Sequence, residues 1–180
     1  MRGGPVEIRF IAPELRVLDL VTQELLILPL FEDERPPTGA VGLIDYRLAG
    51  HLSAGIVSGE IRGNLLEAQV LPGRPKTGFE QILIIGAGAR SDFSPQIFSH
   101  VVQRMLDGAV ELGARRAIVE LPGRALELIE PELALELLVE LGRDKDRIDT
   151  WTLLEPAPAQ KRMSGAGQSA PSRRWGVRAE

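Results

Sequence analysis

The chain has 180 residues, 44% hydrophobic but only 4% aromatic, and a net charge of −4. That length holds one domain, or one domain and a tail, built on an aliphatic core. The absence of cysteine excludes disulfides and thiolate metal sites, and no apolar run reaches the length of a membrane-spanning helix.

Val6, Ile8 and Phe10 alternate with Glu7 and Arg9, the period of a half-buried first strand. Pro13 to Val21 is a short connection with room for one helical turn. Glu24 to Phe31 is apolar after its first residue and reads as a second strand. Pro29 places an edge or a bulge near its end. Glu32 to Gly39 is a polar turn. Val41, Leu43, Ile44, Tyr46, Leu48 and Leu52 predict one helix over about 41–52, with Asp45 and Arg47 on its other faces. Ala54 to Gly63 is punctuated by glycine and reads as loop or short helix. Asn64 to Leu71 is a third strand, joined through Pro72 to Gly78 to a fourth at 80–85.

The fourth strand leads into the stretch that organises the chain. Gln81-Ile-Leu-Ile-Ile85 suits a strand buried on both faces. Gly86 and Gly88 permit a tight turn, Ser94 is a good N-cap, and Pro95 fits the first helical position. Ile97, Phe98, Val101, Val102, Met105, Leu106 and Ala109 then recur at helical spacing up to a stop at Gly113. Ala114 to Leu121 is a fifth strand. Strand, helix and strand at this length make a βαβ unit, so part of the sheet is parallel. A helix over Glu132 to Leu141 opens at Pro131, and Ile148 to Leu154 is the last strand. The expected fold is α/β, a mixed, mostly parallel sheet of about six strands flanked by helices. From Pro156 the composition is that of a disordered tail, which divides the chain into a domain at 1–155 and a tail at 156–180. Residues 161–180 carry five basic residues against Glu180, which leaves −8 on residues 1–160. An acidic body beside a basic tail does not favour nucleic acid as principal partner.

The loop from Gly86 to Ser94 is the candidate ligand site, with Gly86, Gly88, Ser91, Asp92 and Ser94 as its residues. Its amides and the helix N-terminus could hold a small anion such as a phosphate. The bland alternative is a tight strand-to-helix turn capped by Asp92 or Ser94, because the third glycine of a dinucleotide fingerprint is replaced by Ser91. Asp19, Glu32, Asp33 and Glu34 could hold a hard cation or form a solvated turn. His51 and His100 lack partners at metal-site spacing, so no metal or other cofactor is expected. The leucines of 125–141 cover more than one helical stripe: Leu133 and Leu137 on one, Leu135 and Leu138 or Val139 on others. Such breadth suits either a helix buried in its own core or one that docks on a protein partner.

Four segments in sequence order carry a family resemblance: Leu25 to Asp33, Ile44 to Leu52, Ile56 to Gly63, and Ile82 to Gly88. Together they resemble the N-terminal domain of the leucyl (cytosol) aminopeptidases, peptidase family M17, over about residues 6–154. The resemblance implies a three-layer sandwich similar to macro domains. In that family, catalysis belongs to a separate, larger C-terminal domain with two divalent metals and an Asn-Thr-Asp-Ala-Glu-Gly-Arg signature that this sequence does not contain. No catalytic or metal residue is therefore carried over. The expectation is a stand-alone, cytoplasmic, non-catalytic domain that associates with itself or with another protein. The macro-domain likeness implies a second possibility, ADP-ribose or a nucleotide at Gly86–Ser94. A third is partnership with a catalytic half on another chain.

Overall fold

In the computed structural model, which describes residues 6–143, 147–169 and 175–177, strand and helix alternate for most of the chain. The elements are β1 (Val6–Ile11), α1 (Leu15–Leu18), β2 (Gln23–Phe31), α2 (Gly39–Arg47), α3 (His51–Ser58), β3 (Ala68–Pro72), β4 (Phe79–Gly88), α4 (Pro95–Glu111), β5 (Arg116–Val119), α5 (Pro131–Gly142), β6 (Thr150–Leu154), α6 (Ala157–Ser169) and β7 (Trp175–Val177). The seven strands form one sheet in the order β3-β4-β2-β5-β6-β1-β7. Only β3 runs antiparallel to its neighbour; the other pairs are parallel. The expected mixed, mostly parallel sheet is therefore present.

The central strands are apolar throughout because both faces are covered. In β2 and β4, Leu25, Ile27, Leu83 and Ile85 face α4, α5 and α6. The alternate residues Leu26, Leu28, Leu30, Ile82 and Ile84 face α1, α2 and α3. Each buried side chain contributes roughly 1.5–3 kcal/mol by leaving water, so these strands anchor both layers. Pro29 lies in this central strand, not at an edge. Ile27 offers its carbonyl to the Glu120 amide on the β5 side, and residues of the same parity point the same way. Pro29 thus faces β5 beyond the last paired residue of that strand, where no ladder bond is lost. The register of β2 on β4 shifts just after it, between Leu30 and Phe31.

Helix α4 forms as its sequence dictates. The Ser94 hydroxyl accepts the Ile97 N–H at 3.2 Å, Pro95 opens the helix, and Phe98, Val101, Val102, Met105, Leu106 and Ala109 are buried. Gly113 ends it with φ of 71°. The helix expected over 41–52 is instead two helices. Ala49 and Gly50 take left-handed φ values of 56° and 79°, which break the run. The buried Asp45 carboxylate accepts the amides of Leu52 at 2.8 Å and Ser53 at 3.1 Å, so it caps the second helix. His51 therefore begins a helix and does not end one.

The expectation of a disordered tail from Pro156 is also corrected. Residues Ala157–Ser169 form α6, which packs on α5 and buries Ala159 and Met163. Arg162 pairs with Glu130 and Glu132 at the start of α5. Residues 175–177 add β7 beside β1. The remainder of the expected tail lies outside the described residues. This helix changes the reading of the leucine-rich segment: Leu135, Leu138 and Val139 are buried, and Leu133, Leu137 and Leu141 pack against the same core. The breadth of α5 is satisfied within the chain, so α5 is not a free docking helix.

Candidate functional site

Parallel strands place their carboxyl ends on one edge of the sheet, where α/β folds offer a crevice to ligands. Here that edge holds a cavity of about 520 Å³ at the ends of β5 and β6 and the start of α2. The volume lies within the usual range for small-molecule sites. Glu120 is the first residue after β5, and its carboxylate turns under α2. Its Oε1 accepts the Ala40 N–H at 2.9 Å, one of the amides that a helix start leaves unpaired. No hydrogen bond to its Oε2 is made among the described residues. Burial pushes the Glu120 carboxyl up to about 7 against the opposing bond from Ala40, and the carboxylates of Glu34 and Glu155 push the same way.

Beside it, Arg124 and Glu155 form a buried, bidentate ion pair with both contacts at 2.9 Å. Arg124 also donates to the Ile129 carbonyl at 2.6 Å. Burial raises the Glu155 pKa, and the Arg124 guanidinium opposes that shift. Glu34 is buried at the end of the β2 turn, where its Oε1 accepts the Thr38 N–H at 2.8 Å. The site therefore contains three buried carboxylates and one guanidinium, which is already paired.

Of these residues the sequence singled out only Glu34, as part of the acidic run; Glu120, Arg124 and Glu155 were not singled out. A signal existed: Glu120 and Glu155 each follow directly on an apolar strand, where a parallel sheet meets its crevice.

The loop singled out from the sequence has a different geometry. Gly86 and Gly88 end β4, and the turn at 63–67 lies across them. The Gly86 N–H donates to the Glu67 carbonyl at 2.7 Å and the Gly88 N–H to the Gly63 carbonyl at 3.0 Å. A Cβ at Gly86 would stand 1.8 Å from the Asn64 carbonyl oxygen. The two amides are thus engaged by the protein's own backbone, and the close approach accounts for glycine at position 86. Ser91 and Asp92 lie exposed in a short 3-10 turn, and Ser94 caps α4. The five residues thus fall on three successive pieces of chain: the glycines on the end of β4, Ser91 and Asp92 in the 3-10 turn, and Ser94 at the start of α4.

The acidic run does not converge. Asp19 pairs with Arg47, and Asp33 pairs with Arg90 at 3.1 Å, which holds the Asp33 carboxyl below its ordinary value, first through the Arg90 N–H. Among the described residues no group of three or more His, Cys, Asp or Glu side chains is placed to hold a metal ion. The Nδ1 of His51 lies at 3.3 Å from Lys76 Nζ, and His100 is exposed on α4. Leu20, just after α1, and Val57 on α3 are each 88% exposed, and Tyr46 on α2 is 71% exposed.

Comparisons with known proteins bear on this arrangement. No relative among curated proteins matches the sequence. A mutant of tomato leucine aminopeptidase superposes with a TM-score of 0.66 at 16% identity, covering 92% of this chain and 36% of that one. The chain thus spans about a third of that enzyme's length. The macrodomain of Mycobacterium tuberculosis DarG matches with a TM-score of 0.66 at 14% identity, over 86% of this chain and 100% of that one. The Trypanosoma brucei macrodomain in complex with ADP-ribose gives 0.64 at 13% identity, over 87% and 67%. At these identities the likeness shows a macrodomain-like fold. No helix among the described residues is long and apolar enough to cross a membrane. Residues 27–141 match the cytosol aminopeptidase family's N-terminal domain, and the chain belongs to that family through this domain, which is not the catalytic one.

Proposed function

We propose that this chain acts as a non-catalytic assembly module that associates through the exposed residues of its α1–α3 layer, with a second copy of itself as the first partner to test. The observation that carries the reading is the exposure of Leu20, Tyr46 and Val57 on that layer. Aromatic and aliphatic side chains held outside the core lose contact with water on docking. Arg47 lies 5.6 Å from the Tyr46 ring, and it also pairs with Asp19. Rings and arginines of this kind are enriched where proteins meet. In the tomato aminopeptidase the corresponding unit is joined to a larger remainder, which fits a domain whose surface is made to be covered.

Light scattering behind size exclusion tests the proposal. The expected mass is a multiple of 19.6 kDa, falling to the monomer in the double variant Leu20→Lys, Val57→Lys with unchanged circular dichroism. A concentration-independent monomer that retains no partner would overturn it. The competing reading, ADP-ribose or a nucleotide at Gly86–Ser94, draws support from the ADP-ribose complex of the Trypanosoma brucei macrodomain. The engagement of the Gly86 and Gly88 amides by Glu67 and Gly63 favours the assembly reading over it.

A further inference from the structure

We propose that the cavity at the carboxyl ends of β5 and β6 is a binding site for a primary ammonium group carried on an apolar body, with the Glu120 carboxylate receiving the ammonium.

Charge bookkeeping in the cavity comes first. Glu120, Glu127 and Glu155 line it together with a single cation, Arg124. The Arg124 guanidinium is bound to both oxygens of Glu155 and to the Ile129 carbonyl. It has little left for an anion, so a phosphate entering here would meet net negative charge. At the nearby start of α2 the Ala40 N–H, which could have served that phosphate, is bound by Glu120. The protein's own carboxylate stands where an anionic ligand would go.

The chemistry that remains is that of a donor. Glu120 is 4% exposed yet lines the cavity, and its Oε2 takes no hydrogen bond among the described residues. An ammonium group in the cavity would give this oxygen a charge-assisted hydrogen bond. Leu43, Leu126 and Leu154, with Pro13 and Pro156, supply the apolar part of the wall. An amine on an apolar body matches both parts, whereas a fully hydrated inorganic cation matches only one.

The pH dependence follows from the groups that face Glu120. They are Glu34 beyond β2, Glu155 beyond β6, and Arg124 and Glu127 between β5 and α5. With the Glu120 carboxyl near 7, an incoming ammonium displaces its proton. An alkylamine stays protonated up to about pH 10, as a lysine side chain does. Binding therefore tightens as pH rises from 6 to 8.

Phenethylamine is the probe, with phenethyl alcohol as its neutral match and ADP-ribose and inorganic phosphate as anions. Amide NMR shifts on the full chain report binding and its location together. Phenethylamine is expected to move the signals of Ala40, Glu120 and Arg124, with affinity about tenfold higher at pH 8 than at pH 6. The alcohol and the anions are expected to leave those signals in place. Glu120→Gln keeps an acceptor for the Ala40 N–H and removes the charge; at least a tenfold loss of amine affinity and a flat pH profile are expected. Equal binding of amine and alcohol, tighter binding of ADP-ribose at the same amides, or a pH-independent affinity in the unmodified chain would each overturn the proposal. The last of these needs no variant to fold, and none depends on whether the chain self-associates.

Discussion

Glu120 combines a structural task with a cost. Its Oε1 closes the first turn of α2, and burial holds the carboxyl near 7, well above its ordinary value of 4.5. Between those two values the folded chain keeps a proton that the unfolded chain has released. Stability contributed by the protonated form is complete below the ordinary value and is lost as pH rises through about 7. Above that, the cost of the buried charge is on the order of 3 kcal/mol. Replacing Glu120 by Gln removes the charge and keeps the acceptor. Urea unfolding between pH 5 and pH 8 should therefore show a fall in stability for the parent chain that shrinks by roughly 2–3 kcal/mol in Glu120→Gln. A residual slope belongs to Glu155, whose carboxyl burial also raises. Asp33 and Asp149 act at the acid end with the opposite sign, since Arg90 and Arg115 hold them below their ordinary values. Parallel profiles for the two proteins would show that Glu120 is charged at all these pH values.

Between elements, the contact that decides the C-terminal part of the fold is α6 on α5. Helix α6 is weakly apolar and its composition, rich in Ala, Gly, Ser and Gln, is that of a linker. Residue by residue it still places Met163 and Ala159 on one stripe, four apart, and both are buried. Two side chains are too few to outweigh composition when the sequence is read alone, so the helix was not legible. The leucines of α5 were legible as apolar, but what covers them depends on a segment that begins only at Ala157, beyond another strand. By contrast, α4 could be read closely, because cap, opening proline, apolar stripe and stop all lie within its own sequence. The break at Ala49–Gly50 was hidden for a similar reason. Asp45 reads as a solvent-facing helical residue until the following helix is placed on it. If α6 holds α5 as described, Met163→Ala leaves a void beneath it and costs about 2–5 kcal/mol. The unfolding midpoint in urea measures this. A change within a few tenths of a kcal/mol would mean that α6 lies loosely on α5.

At the scale of the molecule, the two helical layers are not separable units, because each alternate residue of the same strands belongs to a different layer. Leu25 and Ile27 serve one core while Leu26, Leu28 and Leu30 serve the other. Local patterns showed that β4, α4 and β5 form a parallel unit. The strand order did not follow from them: β2 lies between β4 and β5, and β1 lies beyond β6. Those positions are set by pairings between strands that are distant in sequence, such as Ile8 with Trp151 and Leu26 with Ile118. The same sharing governs unfolding. Loss of the α1–α3 layer would bare Leu26, Leu28, Leu30, Ile82 and Ile84 to water, at about 1.5–3 kcal/mol for each side chain. That penalty makes a half-unfolded state scarce and couples the layers into one transition. Trp151 is fully buried in the α4–α6 core and reports on that layer. The chain has two tryptophans, so Trp175→Phe leaves Trp151 as the sole indole. In that background the urea midpoint from Trp151 fluorescence should coincide with the midpoint from far-ultraviolet circular dichroism, which follows the helices of both layers. Dichroism lost at lower urea than fluorescence would show that the α1–α3 layer opens by itself, and the shared sheet would then not be what binds the two halves together.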